Sequence, residues 1–321
     1  MTYAQNLADS AQTLPAGIGG AGLMFRNRLI NGAMQIWQRG TTGTSGYVTD
    51  RWQGVNTTTC NRSSDVPTGH QYSIEYGNTG ATYPYVCQSI ESVHCIDLVG
   101  QSITISFWAK NISGTATLYT EIVYANSVDN FTSPTIITNS LNSASPSSSW
   151  TYYTVTFTNL PASVANGLQL RIVRNIASAA TTRITGVQLE VGSTATQFER
   201  RPFGLELALC QRYYEKSYEL NTTPGSVTTY GAIRQRTVGT DFWYYVQYKV
   251  AKRASPSSAV VYSNRVSNAS GYLYQVDGTG SPADRVTTTS SISETGFQLY
   301  CGTIGSAGAL SEFQWAVSAE L

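Results

Sequence analysis

Apolar residues recur at every second position in short runs along most of this chain, the period of a strand with one buried face. Ile103, Ile105, Phe107 and Ala109 alternate with Thr104, Ser106 and Trp108. Tyr153, Val155 and Phe157 repeat the pattern, as do Leu168, Leu170 and Ile172, then Val187, Leu189 and Val191. Turn formers at Asn111–Gly114, Asn142–Ser149 and Ala165–Gly167 separate these runs. Many short strands with turn signals and no helical periods between them predict an antiparallel sandwich of jelly-roll type. The pattern resumes later, with Phe242, Tyr244, Val246, Tyr248 and Val250 on one face and Trp243, Tyr245, Gln247 and Lys249 on the other. Strands are predicted over Val260–Ser263, Tyr272–Val276 and Phe297–Tyr300, and over the closing alternation Phe313, Trp315, Val317, Ala319 and Leu321, which reads as paired inside a sheet.

One stretch breaks the two-residue period. Over Phe203–Lys216, Leu205, Leu207, Leu209, Cys210, Tyr213 and Tyr214 mix with Glu206, Arg212 and Glu215 among good helix formers, predicting a helix behind Pro202 and Gly204. A chain of 321 residues is too long for one ordinary sandwich. The expected architecture is mainly β: two tandem antiparallel, jelly-roll-like sandwiches, residues 26–202 and 203–321, joined by the short helix that opens the second. Residues 1–25 form an N-terminal attachment segment and linker, with either a short amphipathic helix over Met1–Leu14 or a frayed terminus ahead of the flexible Pro15–Gly22.

Composition narrows the function. Only 12% of residues are charged, while 41% are hydrophobic and 21 are Tyr, which argues against disorder and describes β-sheet faces of neutral polar and aromatic residues. The net charge is +1, and the densest basic spots are the pairs Arg200–Arg201 and Lys252–Arg253. A nucleic-acid partner needs a basic face, so none is expected. No apolar run approaches a membrane span, and no signal-peptide pattern opens the chain, which implies folding in the cytoplasm where it is made. Five cysteines without a CxxC read as buried free thiols, with a Cys87–Cys95 bridge as the alternative.

Three segments carry a resemblance. NRLINGAMQIWQRG (Asn27–Gly40) with YVTDRW (Tyr47–Trp52) resembles the opening strand and aromatic anchor of the sandwich-bearing tail-fibre and receptor-binding proteins of tailed phages. GVQLEVGSTATQFERRPFGLELALCQRYYEKS, from Gly186, resembles the seam into that family's C-terminal domain, and YVQYKVAKRASPSSAVVYS with the closing FQWAVSAEL resembles strands of that domain. The resemblance implies a virion structural protein, a homotrimer held to other virion proteins by its N-terminal segment, that adsorbs to a host surface polysaccharide. A capsid-decorating or baseplate protein without receptor binding, or a glycan depolymerase, are the alternatives. The first module is also similar to carbohydrate-binding sandwiches, whose opening strand often supplies carboxylates to a structural Ca²⁺. Here Asn31–Gln35 brings none, leaving Glu190 and Asp50, and no cofactor is expected.

Material for catalysis is sparse. His70 and His94 are the two histidines, too few for a multi-His metal site or a His-dependent hydrolase. His94 adjoins Cys95, but neighbours on a strand face opposite ways, so a structural thiol is expected. Glu75, Glu91, Asp97 and Glu121 are candidate acid–base carboxylates for sugar cleavage, but they are scattered, and the coils of a β-helix depolymerase are missing. A binding protein and no enzyme is the expectation. Sugars stack on aromatic rings, which makes Trp243 and Tyr245 the foremost glycan-binding candidates, followed by Tyr272 and Tyr274 and then Trp108. Trp37 and Trp52 belong to the opening motif and read as scaffold. Arg200 and Arg201 read either as a hinge docking a neighbouring chain or as two solvated arginines. The helix carries more apolar surface than one sandwich covers, which the trimer would bury.

Overall fold

A computed structural model of the chain describes residues 25–78, 83–114, 116–137, 143–175, 180–237, 241–265, 269–276, 282–302 and 308–321. Met1–Leu14, read as either a short helix or a frayed terminus, and the linker after it lie outside the described residues.

The first module packs two antiparallel sheets face to face. One runs, in spatial order, Thr42–Gly43, Thr59–Ser63, Ser73–Asn78, Ala180–Val191, Ile103–Ser113 and Thr151–Phe157. The other runs Ser143–Ala144, Leu118–Tyr124, Leu168–Arg174, Tyr85–Ile90, Trp52–Val55 and Gly46–Thr49, with Thr135–Ile136 beside Leu118–Tyr124. The alternating residues meet in the middle: Ile103, Ile105, Phe107, Leu168, Leu170 and Ile172 are fully buried in one cluster with Trp37 and Trp52. Ile103–Ser113 extends through the turn expected at Asn111–Gly114. Val191 closes its strand exposed, at the rim.

Asn27–Gly40 is not a strand of either sheet; it is an irregular segment organised by Asn31. That residue, at φ 56°, accepts the amides of Gln35 and Ile36 on its side-chain oxygen. Its amide nitrogen donates to the carbonyls of Ile36 and Asp50 and to the Thr49 hydroxyl. Gly32 follows because a Cβ there would lie 2.1 Å from the Val187 carbonyl oxygen, which crosses directly over it.

The helix spans Phe203–Gln211 and stops short of the expected Lys216. Tyr214–Lys216 instead forms a strand paired with Ala316–Ser318, where buried Glu215 and Lys216 find partners that a helix would not offer. Glu206 and Cys210 are the helix's buried residues; its leucines are half-buried and Phe203 is exposed.

The second module is built on Leu310–Ser318. Tyr214–Lys216 and Ala259–Tyr262 flank its C-terminal half, and Ile233–Arg236 and Tyr272–Val276 flank its N-terminal half, with Pro282–Val286 beyond. Flanked on both edges, this strand buries Glu312 and Gln314 as well as the expected Phe313, Trp315 and Val317. A three-stranded sheet, Phe242–Gln247, Gly296–Cys301 and Thr288–Ser290, covers its apolar face. Phe242, Val246, Phe297 and Leu299 meet Val261, Leu273, Phe313 and Trp315 in a second core.

Candidate functional site

The three-stranded sheet turns its second face to solvent, and the register decides what stands there. Trp243 pairs with Tyr300 and Tyr245 with Gln298, while Thr288 and Ser290 pair with Tyr300 and Gln298 from the other side. Because Phe242, Val246, Phe297 and Leu299 point into the core, Trp243, Tyr245, Gln247, Gln298, Tyr300, Thr288 and Ser290 all point out. Trp243 and Tyr245 are each 54% exposed. The Trp243 and Tyr300 rings lie 4.3 Å apart, tilted by 40°. Two glycines let the tyrosines lie down: a Cβ on Gly296 or Gly302 would stand 2.6 Å from the Tyr245 or Tyr300 hydroxyl, respectively. Among the described residues, none of these aromatic or amide side chains spends its polar atoms on an internal hydrogen bond. Beside Tyr245 a depression of about 510 Å³ runs along Gln247, Lys249, Ile233 and Gly231.

Tyr272 and Tyr274 do not join this face. Leu273 and Gln275 of their strand are buried, so the tyrosines project from the opposite side of the sandwich. There Tyr274 pairs across the ladder with Glu312, whose carboxylate holds Arg234 at 2.7 Å and Arg265 at 2.8 Å, and the Arg265 guanidinium lies 5.3 Å from the Tyr274 ring. This face carries a charge network centred on Glu312, on the side of the sandwich away from Trp243 and Tyr245.

Trp108 stands in the first module, opposite Tyr152 in the ladder, their rings 5.3 Å apart. It faces outward into a cleft shared with His70, Phe198 and Arg200. Sequence reasoning missed Tyr300, Tyr152 and Phe198, whose neighbours come from register and chain crossing. It also missed a polar groove of about 480 Å³ on the other sheet, lined by Gln53, Tyr85, Gln169 and Arg171. Arg171 is engaged there by the Gln169 side chain at 2.6 Å, by Glu121 at 4.0 Å and by the Tyr85 ring at 5.2 Å.

The four candidate carboxylates are dispersed, each against a different arginine: Glu75 on Arg183, Glu91 on Arg212, Asp97 on Arg28 and Glu121 on Arg171. All five thiols are free and buried, and burial pushes those of Cys60, Cys87 and Cys95 up to about 12. His94 sits exposed on a single 3-10 turn rather than a strand, beside buried Cys95.

Glu190 and Asp50 do not fit a Ca²⁺ site. Glu190 accepts the Thr196 amide at 2.8 Å, the Thr196 hydroxyl at 2.6 Å and the Gln188 amide at 2.8 Å, with the Arg26 guanidinium 3.8 Å away. Asp50 serves a separate network, accepting the backbone and side-chain N–H groups of Gln38, both at 2.7 Å. A cation of this kind needs six to eight oxygens, and these are occupied by donors.

The two arginines at the junction differ. The side chain of Arg201 is 7% exposed, donating to the carbonyls of Leu29 and Asn27 and pairing with Glu199 at 3.5 Å and Glu206 at 3.3 Å. Arg200 is exposed.

The chain is thus a mainly β protein of two antiparallel sandwiches joined by one short helix. No model of a known protein family matches it, and no curated protein does. Solved structures similar to it include the CBM22-1 xylan-binding domain of Paenibacillus barcinonensis Xyn10C, 15% identical over 50% of this chain and 93% of that one, with a TM-score of 0.34. A family 22 carbohydrate binding module of Clostridium thermocellum Xyn10B is 13% identical over 50% of this chain and 98% of its own, at 0.37. The enzymatically active domain of tailspike protein 4 of bacteriophage CBA120 is 16% identical over 52% of this chain and 22% of its own, also at 0.37. Likeness of this degree assigns neither a family nor a ligand.

Proposed function

We propose that this chain is a non-catalytic virion protein of the tail-fibre or receptor-binding kind, which attaches to a host surface polysaccharide through the face bearing Trp243, Tyr245 and Tyr300. The observation that carries the binding reading is the open aromatic face itself, with its indole N–H, phenol and amide groups left without internal partners. An aromatic ring stacks on the apolar face of a pyranose, while neighbouring amides and hydroxyls bond the equatorial hydroxyls. Three rings share one small sheet face, Tyr300 beside Trp243 across the ladder and Tyr245 two residues along the strand, an apolar surface broad enough to take more than one sugar. The virion role is supported by the resemblance of Asn27–Gly40, Tyr47–Trp52 and Gly186–Ser217 to tail-fibre proteins. Self-association into a trimer, through the half-buried leucines of Phe203–Gln211, belongs to the same reading; a monodisperse monomer by light scattering at micromolar concentration would count against it.

The test is an array of purified bacterial capsular and O-antigen polysaccharides probed with the full chain. Wild type should bind at least one of them without releasing reducing ends. Trp243→Ala and Tyr300→Ala should each weaken that binding about two- to tenfold, since a ring contact contributes on the order of 0.5–1.5 kcal/mol. Unchanged binding by both variants would remove the platform from the proposal, and release of reducing ends would make the protein a depolymerase.

A further inference from the structure

The cleft around Trp108 has a composition unlike that of the exposed platform. Trp108 stands between Tyr152 on one neighbouring strand and Thr185 on the other. A bulge after Thr185 brings Gly186 to φ 63°, where a Cβ would stand 2.7 Å from the His70 ring and 3.2 Å from the Trp108 indole. The missing side chain lets both rings line the floor. The segment Ala195–Arg200, leaving the last strand of the module, then walls the cleft with Phe198, whose ring lies 5.5 Å from that of His70. The depression is open to solvent and has a volume of about 510 Å³, enough for one or two pyranose rings.

Arg200 supplies the charge of this cleft. Among the described residues no carboxylate lines this cleft, and the imidazole of His70 stays neutral at pH 7 because burial and the adjacent Arg200 push it down to about 4. The guanidinium lies 5.7 Å from the Phe198 ring centroid and, among the described residues, forms neither an ion pair nor a hydrogen bond. Arg201, one residue on, has two carboxylates and two carbonyls. A guanidinium without an ion pair, beside aromatic rings, complements an anion carried on an apolar ring face. Guanidinium pairs with carboxylate through two parallel N–H···O bonds, a geometry a single hydroxyl does not reproduce.

We propose that this cleft binds a carboxylated pyranose, a hexuronate or similar acidic unit of a polysaccharide, with the sugar ring against Trp108 and Tyr152 and its carboxylate on Arg200. The proposal shares the saccharide class with the function proposed above but does not depend on the Trp243 face.

The experiment titrates the full chain with a panel of hexuronate-containing oligosaccharides and with the same compounds after reduction of the carboxyl to the alcohol, followed by tryptophan fluorescence and calorimetry. Wild type should bind at least one acidic compound about tenfold or more tightly than its reduced form. Arg200→Gln should abolish that preference while leaving the affinity for the reduced form within twofold. Trp108→Ala should weaken both forms. Trp243→Ala, which tests the platform, should leave the acidic preference intact, and so should Arg236→Gln, an exposed arginine of the other module. Thermal melting of each variant shows whether it is folded; Arg200 is exposed, so its replacement is not expected to unfold the chain. No binding of any panel member, equal binding of acidic and reduced forms, or an equal loss in Arg200→Gln and Arg236→Gln would overturn the proposal. Loss of the acidic preference in Trp243→Ala would likewise overturn the cleft, whereas polysaccharide binding left unchanged by Trp243→Ala and Tyr300→Ala would remove the platform and leave the cleft.

Discussion

At the scale of single residues, the missing side chain of Gly296 builds part of the platform. A Cβ there would meet the Val246 carbonyl oxygen at 2.4 Å and the Tyr245 hydroxyl at 2.6 Å. The hydroxyl can move, but the carbonyl belongs to the paired strand and cannot. Gly296→Ala is therefore expected to cost about 1–3 kcal/mol, as overpacking does, read as a lower urea midpoint at constant m. Gly302→Ala meets only the Tyr300 hydroxyl at 2.6 Å, the free end of a side chain, and should leave the midpoint almost unchanged while lifting that ring. Equal costs for the two would refute this account of the sheet surface. The buried thiols set the alkaline limit. An unfolded thiol ionises near 8.5, whereas those of Cys60, Cys87 and Cys95 are held up to about 12 in the folded chain. Their stabilisation is intact below about pH 8.5 and is lost as pH rises toward 12, because the unfolded state releases its protons first. Each should remove about 2 kcal/mol of stability between pH 7 and 10. Cys60→Val should flatten the pH dependence of the denaturation midpoint by that amount; an unchanged slope would contradict it.

At the scale of elements, Tyr214–Lys216 shows where local preference yields to partners. Tyr213–Lys216 continues a run of good helix formers, yet the helix ends at Gln211. Glu215 accepts the Lys249 amide at 2.9 Å, the Val250 amide at 3.3 Å and the Lys252 ammonium at 2.8 Å, with both charged side chains fully buried. Lys252 also donates to the carbonyls of Gln211 and Val250, at 2.6 and 2.5 Å. Removing the carboxylate alone would strand a buried ammonium, so Glu215→Ala should destabilise by about 3–5 kcal/mol. Glu215→Met with Lys252→Met should recover most of that loss, because a buried pair replaced by apolar groups of similar volume is close to neutral. A double variant as unstable as the single one would show that the pair's geometry, rather than its charge balance, holds this corner. The contrast with the rest of the chain shows what sequence carries. Ile103, Ile105 and Phe107, or Phe242 and Val246, announce their strands because a period of two is local. The outward placement of Trp243 and Tyr245 follows from the same alternation. Tyr300 joins them through a register that no local pattern encodes, and Tyr272 and Tyr274 alternate just as well yet stand beside the Glu312 charge network on the opposite side of the sandwich. Glu215 gives no local sign of burial, because its partner lies at Lys252, while Lys216 donates both to the nearby carbonyls of Leu220 and Thr222 and to the distant one of Gln38.

At the scale of the whole molecule, a polar seam joins the two sandwiches. Arg51, 1% exposed at its side chain, pairs with Glu320, donates to the Ser89 carbonyl at 2.6 Å and stacks 3.4 Å from the centroid of the Tyr213 ring. Arg39 reaches the same Glu320 at 2.9 Å and lies 3.7 Å over Tyr214, while Gln38 bridges Asp50 and the Tyr214 carbonyl. Burial pushes the Asp50 carboxyl up, opposed by Arg39 and by the two N–H groups of Gln38. Glu320 is the acceptor the two arginines share, so Glu320→Ala leaves Arg51 buried without its carboxylate and should cost about 3–5 kcal/mol. The loss should fall on the seam: hydrogen exchange should speed up together at Gln38, Tyr214 and Lys216, and not at Phe107 or Leu170 inside the first core. Uniform acceleration throughout, or none, would show that the two modules are not joined through this carboxylate. The seam also bears on the proposed attachment. The Trp108 cleft lies on the first module and the Trp243 face on the second, so if both hold saccharide, the joint fixes the span that one polysaccharide chain must bridge to meet them together. Glu320→Ala should then lose affinity for a long polysaccharide by tenfold or more while binding short oligosaccharides as wild type does. An equal loss for short and long ligands would place the damage inside a site and leave the joint without a role in attachment.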